Sequence, residues 1–308
     1  MLKKFMMHSS INTILVTTDF SGKSGNAVTM ASHMAARHAA HLILFHTVNN
    51  YFMTDRTGKQ VISSETVQDH YLRAEQSLKD LENSLRAQHP QLNIEILIKN
   101  DTLIAGLNEI IGLRDVDVVI SGTSGTQKLK QLILGSMSYE ILTGAHCSVM
   151  LVPETWHKHT FENILVPVRI LDNLTEKLDL SMAIAKKNRG VISLLGICAE
   201  HDIPEIKSAY LELQKTLAEN TRQYHAEFMI TRDKAIRISE FSRDDQADLI
   251  ILNDKDEDSW KSFFSENFFK QMVNNTDVPL FFFRNKNNRN TGTSDGTSGF
   301  DITLPIPG

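Results

Sequence analysis

Residues 120–138 read ISGTSGTQKLKQLILGSMS and continue directly from the apolar run VDVVI. That run is short, continuous and rich in β-branched residues, which is typical of a strand buried on both faces of a parallel sheet. Gly122, Gly125 and Gly135 follow it, and Ser136 opens the next helical pattern. Glycines at a strand end let backbone N–H groups approach an anion, and a helix N-terminus offers further unpaired donors. The stretch is therefore either an ordinary loop or a loop that holds phosphate.

Strand and helix patterns alternate on both sides of this stretch. Strands are predicted over residues 11–17, 41–48, 92–98, 116–121 and 148–153, and helices over about 23–40, 65–89 and 101–113 and from residue 136. Because helices separate most of these strands, we expect an α/β fold in which right-handed crossovers cover both faces of a parallel sheet.

The second half of the chain repeats the first. Strand patterns recur in the same order at residues 163–170, 191–197, 247–252 and 278–283, which indicates a duplication. The expected division is a first domain over 1–153, a degenerate second domain over 154–285 and a low-complexity tail over 286–308, with a linker at 153–160. The tail is either a disordered end or an arm whose segment FDITL adds to a sheet edge.

Composition narrows the class of protein. The 308 residues have a formal net charge of -5 and no Lys- or Arg-rich block, which argues against nucleic acid as a partner. No stretch reaches the roughly 18 to 20 apolar residues that cross a bilayer, and the first residues lack a signal-peptide pattern. We therefore expect a cytoplasmic protein without a membrane partner, and reduced thiols at Cys147 and Cys198.

A second glycine-containing segment, FSGKSGN, contains Gly22, Lys23 and Ser24 and invites comparison with a P-loop. The P-loop pattern requires a glycine five positions before Gly22, and Thr17 occupies that position. The segment is instead predicted to be a polar turn that caps the first helix, with Ser21 or Ser24 as the N-cap.

The spacing of the glycines in residues 120–138 resembles a known family. The pattern Gly122-x2-Gly125-x9-Gly135-Ser136 matches the G-2x-G-9x-G-(S/T) signature of the nucleotide-binding universal stress proteins, and the segment ILVTTDFS resembles their first strand. The resemblance covers residues 11–153 in element order. It implies two tandem Rossmann-like domains of the adenine nucleotide alpha hydrolase-like type, each with a five-stranded parallel sheet of order 3-2-1-4-5 that has helices on both faces. It also implies that the first domain binds ATP, with or without Mg²⁺.

The family's binding residues carry over to eleven positions. Asp19 would recognise the adenosine end of the nucleotide, and Thr47 would face the adenine. Beside Asp19 would lie Thr17 and Thr18. The ribose and phosphates would be lined by Ser121, Gly122, Ser124 and Gly125, and the phosphates would be held by Gly135, Ser136 and Met137. Lys128 and Lys130 either add positive charge toward the phosphates or are solvated surface lysines.

The second copy is expected to hold no nucleotide. Residues 253–270 contain no glycine and carry four acids between positions 254 and 258, and Arg169 replaces the aspartate of the first strand. A polyphosphate there would meet like charge and side chains instead of bare amides. Because the second copy keeps the strands without the glycines, we infer that the fold does not need them and that those of the first copy contact a ligand.

No metal site is predicted. The acidic run lacks the glycine and the distal glutamate of an EF-hand loop, and His33, His38 and His41 do not share one face of the first helix.

The resemblance also bears on partners and function. It implies that the two halves pair through their last strands, SVMLVP and VPLFFFR, and it admits a homodimer of two chains. The function favoured is an ATP-binding protein with a regulatory or stress-response role. The alternatives are a slow ATPase or autophosphorylating protein and a nucleotide-free interaction module. No catalytic residue is assigned, because no paired base and metal-ligand set accompanies Asp19.

Overall fold

The computed structural model describes residues 10–48, 53–54, 60–61, 64–123, 136–254 and 268–286. Ten strands of these residues form one sheet, and two short strands, β3 (Met53–Thr54) and β4 (Gln60–Val61), pair separately. The ten strands divide into two sets of five by sequence.

The first five strands have the predicted order. They are β1 (Thr13–Thr17), β2 (His41–Thr47), β5 (Ile94–Lys99), β6 (Val118–Thr123) and β7 (Ser148–Pro153), and they lie in the order β5-β2-β1-β6-β7. All four pairings among them are parallel, with β1 between β2 and β6. Numbered one to five along the chain, this is the order 3-2-1-4-5, which confirms the prediction.

The second five strands repeat that order. They are β8 (Asn163–Val168), β9 (Val191–Cys198), β10 (Tyr224–Ile230), β11 (Leu249–Asn253) and β12 (Leu280–Phe283), arranged as β10-β9-β8-β11-β12. Their pairings are also parallel. The duplication read from the sequence therefore has a counterpart in the topology.

The two sets join through their last strands. β7 and β12 run antiparallel, with Leu280 opposite Leu151 and Phe282 opposite Val149. Both strands are buried along their whole length. This pairing makes one continuous sheet, with β5 and β10 at its two edges.

Helices cover both faces of the sheet. They are α1 (Gly22–His38), α2 (Ser64–Gln88), α3 (Leu103–Arg114), α4 (Ser136–Gly144), α5 (Leu174–Asn188), α6 (Ile203–Asn220), α7 (Lys234–Asp244) and α8 (Phe268–Asn275), with one 3-10 turn at Glu200–Asp202. One apolar cluster packs α1, α2, α5 and α6 against the sheet, and a second packs α3, α4, α7 and α8 against the other face. Both clusters run through both halves, so each face of the sheet has a continuous core.

None of the helices in the described part of the chain is both long and apolar enough to cross a membrane. Cys147 and Cys198 are buried and are not joined to one another.

Candidate functional site

A cleft opens where β1 and β6 end side by side. The chain leaves β1 into α1, which packs on one face of the sheet, and α4, the next described helix after β6, packs on the other face. Such a point, where consecutive connections diverge to opposite faces, is where open α/β sheets bind ligands. The cleft has a volume of about 240 Å³, and the described residues that line it are Thr17, Asp19, Ser21, Lys23, Ser24, Ser121, Gly122, Thr123, Met137 and Ser138.

The turn from β1 into α1 is held by its own polar groups. The Asp19 carboxylate accepts a hydrogen bond from the backbone N–H of Ser21 at 3.0 Å, and Ser21 is the N-cap of α1, as predicted. The Ser24 hydroxyl donates to the backbone carbonyl of Ser21 at 3.0 Å and lies 3.2 Å from the Thr18 hydroxyl. These bonds hold Asp19 at the mouth of the cleft beside the N-terminus of the helix.

The pKa of Asp19 is lower than the ordinary value for an aspartate. Partial burial alone would raise this pKa, but hydrogen bonds to the carboxylate from Ser21 and Ser24 and from the backbone outweigh the burial. Asp19 is therefore ionised at neutral pH. An ionised carboxylate accepts hydrogen bonds and donates none, so it suits the hydroxyl groups of a sugar.

The same turn contacts β2 through two aromatic rings, His46 of β2 and Phe20 of the turn itself. His46 Nδ1 lies 2.7 Å from the Thr18 carbonyl oxygen, and because a carbonyl only accepts, Nδ1 carries the proton of this bond. Phe20 has a left-handed backbone, with φ 62, and its ring lies 4.8 Å from the His46 ring. The strained position of Phe20 turns the chain sharply after Asp19.

The end of β6 packs closely against the first turn of α1. A Cβ atom at Gly122 would come within 2.3 Å of the Lys23 carbonyl oxygen, so only glycine fits there. The Gly122 carbonyl accepts a hydrogen bond from the Ser138 hydroxyl of α4 at 2.9 Å. Gly122 thus has a packing role, and the inference that the fold does not need this glycine is wrong for the first half.

The structure brings five of the predicted site residues into the cleft: Thr17, Asp19, Ser121, Gly122 and Met137. Thr18 and Thr47 do not line it. Thr18 is buried, where its hydroxyl lies next to Ser24, and Thr47 ends β2 opposite Lys99. The other predicted positions, which are Ser124, Gly125, Lys128, Lys130, Gly135 and the side chain of Ser136, lie outside the described residues.

Sequence reasoning missed five residues that line the cleft. Ser21, Lys23 and Ser24 belong to the segment that fails the P-loop pattern, and Thr123 and Ser138 flank the predicted glycines. The signal that could have found the first three is the polar helix start itself. Residues at the N-terminus of a helix that follows a central strand face the same edge of the sheet as the strand end.

The corresponding place in the second half is filled by the protein's own side chains. Lys177 of α5 is fully buried, and its ammonium donates to the Pro167 carbonyl at 2.6 Å and to Asn253 Oδ1 at 2.7 Å. By strand register, Pro167 and Asn253 occupy the positions that Thr17 and Gly122 hold in the first half. A lysine and an asparagine side chain thus lie between strand ends that in the first half border a cleft.

Two further cationic side chains make contacts near the strand ends of the second half. The Arg169 guanidinium, which stands where the first half has Asp19, lies 3.9 Å above the centre of the Phe268 ring. Arg284 donates to the Asp254 carboxylate at 2.8 Å. Burial, and next the charge of Arg169, lower the pKa of Lys177 to about 7.

Comparison with known proteins agrees with this architecture. Residues 10–153 match the model of the universal stress protein family. The universal stress protein YxiE of Bacillus subtilis (strain 168) is 24% identical over 148 residues, which are 46% of this chain and 98% of that protein.

Two solved structures share the fold over most of the chain. A universal stress protein from Archaeoglobus fulgidus DSM 4304 has a TM-score of 0.71 at 15% identity, covering 89% of this chain and 98% of its own. A putative universal stress protein from Pseudomonas aeruginosa UCBPP-PA14 has a TM-score of 0.62 at 15% identity, covering 91% and 96%. Residues 10–153, a little under half of the chain, are therefore similar to the universal stress protein family.

Proposed function

We propose that the first half of the chain binds an adenine nucleotide, ATP, in the cleft between β1 and β6, and that occupancy of this cleft serves a regulatory role in a stress response. The observation that carries the proposal is the asymmetry between the halves. The first half has a cleft at the strand ends, whereas Lys177 and Asn253 fill the equivalent place in the second.

The chemistry of the cleft suits the two ends of a nucleotide. The ionised Asp19 can accept hydrogen bonds from ribose hydroxyls. The Lys23 ammonium and the N-termini of α1 and α4 supply positive charge and N–H donors for phosphates. In sequence, the glycine motif of residues 122–136 runs from the end of β6 to the first residue of α4.

Binding is favoured over catalysis because of what accompanies Asp19. It is the one carboxylate among the described residues that line the cleft. Phosphoryl transfer requires a positioned base and groups that hold the metal ion, and a single carboxylate serves as one of these at most. A protein that binds ATP without consuming it can report the nucleotide through its shape or its partners.

The test is the thermal stability of the full chain with and without Mg-ATP. A ligand at about 100 times its Kd stabilises a protein by about 2.7 kcal/mol, which raises the melting temperature by several degrees. The variant Met137→Asp places a carboxylate in the first turn of α4, where a negative charge suits the helix dipole but repels phosphate. Met137→Gln is the matched control, because glutamine is similar in size to methionine and is polar but carries no charge.

We expect Mg-ATP to raise the melting temperature of the wild type and of Met137→Gln, and to leave that of Met137→Asp nearly unchanged. The proposal fails if the wild type shows no shift, or if the shift in Met137→Asp equals that of the glutamine control. Phosphate release over several hours then separates a binder from a slow ATPase.

Association of two chains into a homodimer stays a prediction. Because β7 and β12 already pair within the chain, we infer that a dimer would form through another surface of the molecule. Light scattering of the purified chain measures the mass directly, and a value of one chain at all concentrations would contradict the dimer.

A further inference from the structure

Three histidine rings meet at the junction of the two halves, far from one another in sequence. His33 lies on α1, His89 follows the end of α2, and His159 lies in the segment of residues 154–160 that links β7 to β8. The His33 and His159 rings are stacked, with centres 4.8 Å apart and 11° between their planes. The His89 ring meets His33 edge-on at 4.9 Å.

The same helix holds the linking segment by hydrogen bonds. The Asn26 amide of α1 donates to the carbonyl of Pro153 at 2.8 Å and to that of Trp156 at 2.6 Å. One turn after His33, the Arg37 guanidinium donates to the His159 carbonyl. The segment begins beside the cleft, because the Glu154 N–H donates to the Thr123 carbonyl at 2.8 Å. It therefore connects the cleft with the second half along the length of α1.

Burial and the neighbouring basic residues lower the pKa of two of these histidines, His33 and His159. Burial, followed by His159, His89 and Arg37, lowers the pKa of His33. Burial, followed by Arg37 and the neighbouring His157, lowers the pKa of His159.

The adjacent His38 of α1 experiences the same effect from the other half. Burial, followed by Lys187 of α5 and then Arg37, lowers the pKa of His38 to about 4. Groups on α1, α2, α5 and the linking segment thus all disfavour the charged imidazole. Among the described residues, the buried atoms His89 Nε2 and His159 Nδ1 have no hydrogen-bond partner.

We propose that His33 and His159, with the His89 ring packed edge-on against His33, form a proton-responsive latch, which holds residues 154–160 on α1 at neutral pH and releases them on acidification. The neutral rings of His33 and His159 stack on one another. When both are protonated, these rings, whose centres lie 4.8 Å apart in a partly buried seam, repel one another and the Arg37 guanidinium. The ten-stranded sheet stays joined through β7 and β12, so that the release is local.

The direction of the pH dependence follows from linkage. In the latched form the pKa values of His33 and His159 lie below the ordinary value of 6.5, so the released form binds more protons over that range. The stabilisation by the latch is complete above about pH 6.5 and is lost as the pH falls through the lowered pKa values. The latch needs no nucleotide and does not rest on the proposed function.

The test uses Trp156, which lies in the linking segment. The chain has two tryptophans, so the variant Trp260→Phe leaves Trp156 as the single fluorophore. We expect its emission to shift reversibly to longer wavelength between about pH 7.5 and about pH 5, as release exposes the indole. The double variant His33→Gln/His159→Gln should lose this transition, and His225→Gln, at an exposed position on β10, should retain it.

Four outcomes would overturn the latch. The first two are the absence of a fluorescence transition in the parent protein, Trp260→Phe, and an unchanged transition in the double variant. The third is loss of far-UV circular dichroism at the same pH, which would indicate global unfolding. The fourth is disappearance of the transition in EDTA. Within the described residues, no group of three or more His, Cys, Asp or Glu side chains is arranged to hold a metal ion, so EDTA should have no effect.

A second measurement covers the case in which the double variant does not fold. Deuterium uptake of the peptide that spans residues 154–162, corrected for the intrinsic effect of pH, should rise on acidification in the parent. It should not rise in the single variant His159→Gln, and equal increases in both proteins would contradict the proposal.

Discussion

Gly122 at the end of β6 and Lys23 in the first turn of α1 are in backbone contact. A Cβ atom at position 122 would lie 2.3 Å from the Lys23 carbonyl oxygen and 3.1 Å from the Ser24 nitrogen. The contact brings the N-terminus of α1 against the strand end that borders the cleft. One glycine therefore serves packing and leaves the neighbouring backbone open to a ligand.

The substitution Gly122→Ala should destabilise the first half. The added methyl group meets backbone atoms that can move only together with α1, and overpacking of this kind costs about 1–3 kcal/mol of unfolding free energy. Gly25→Ala is the matched control, because none of the described residues has an atom within 4 Å of a Cβ at that helical position. It should stabilise the protein by about 0.5–1 kcal/mol. Urea denaturation measures both, and equal stability of the two variants would contradict the close approach.

Lys177→Met should change how stability depends on pH. The pKa of Lys177 is lowered to about 7 in the folded chain, below the ordinary 10.5, so the unfolded chain binds more protons between these values. The contribution of Lys177 to the unfolding free energy therefore rises with pH over that window, by at most about 1.4 kcal/mol per unit, and is lost as the pH falls through about 7.

The measurement is the difference between wild type and Lys177→Met in urea denaturation at a series of pH values. Wild type should gain stability relative to the variant from pH 7 toward pH 10. Lys186→Met, at an exposed position on the same helix, should follow wild type in parallel. A constant difference between wild type and Lys177→Met would show that the buried ammonium keeps its ordinary pKa.

Lys23→Ala should weaken the binding of ATP more than that of AMP. Lys23 lines the cleft but is exposed, and an ion pair at an exposed position is worth up to about 1 kcal/mol, or about fivefold in affinity. The loss should shrink in high salt, because salt screens exposed charges. Lys186→Ala is the control for a general loss of positive charge. Equal weakening of ATP and AMP would place the lysine away from the β- and γ-phosphates.

Most of the fold was predictable because the spacing of apolar residues and the succession of strands and helices can be read directly along the chain. The alternating apolar runs predicted nine of the ten strands of the sheet and missed β10, and the polar turn at Ser21 predicted the cap of α1. Predicted strand ends differ from those observed by a few residues, as for β1, which begins at Thr13 rather than residue 11.

Contacts between distant parts of the chain were not predictable. Lys177 reaches Asn253 across 76 positions, and nothing in the local pattern marks that helical lysine as buried. In the sequence, His33 lies near His38 and His41, but the spacing of these three residues does not place them on one helix face. The structure instead stacks His33 on His159 and places His89 edge-on against His33, because packing of α1, α2 and the linking segment decides which rings meet.

Isothermal titration of the full chain with ATP tests the central claim most directly, since it counts sites. The claim is that one half holds the nucleotide while the other is filled by its own side chains. It predicts one ATP per chain for wild type and for Met137→Gln, and heat of dilution alone for Met137→Asp. Two sites per chain, or one site that persists in Met137→Asp, would contradict it.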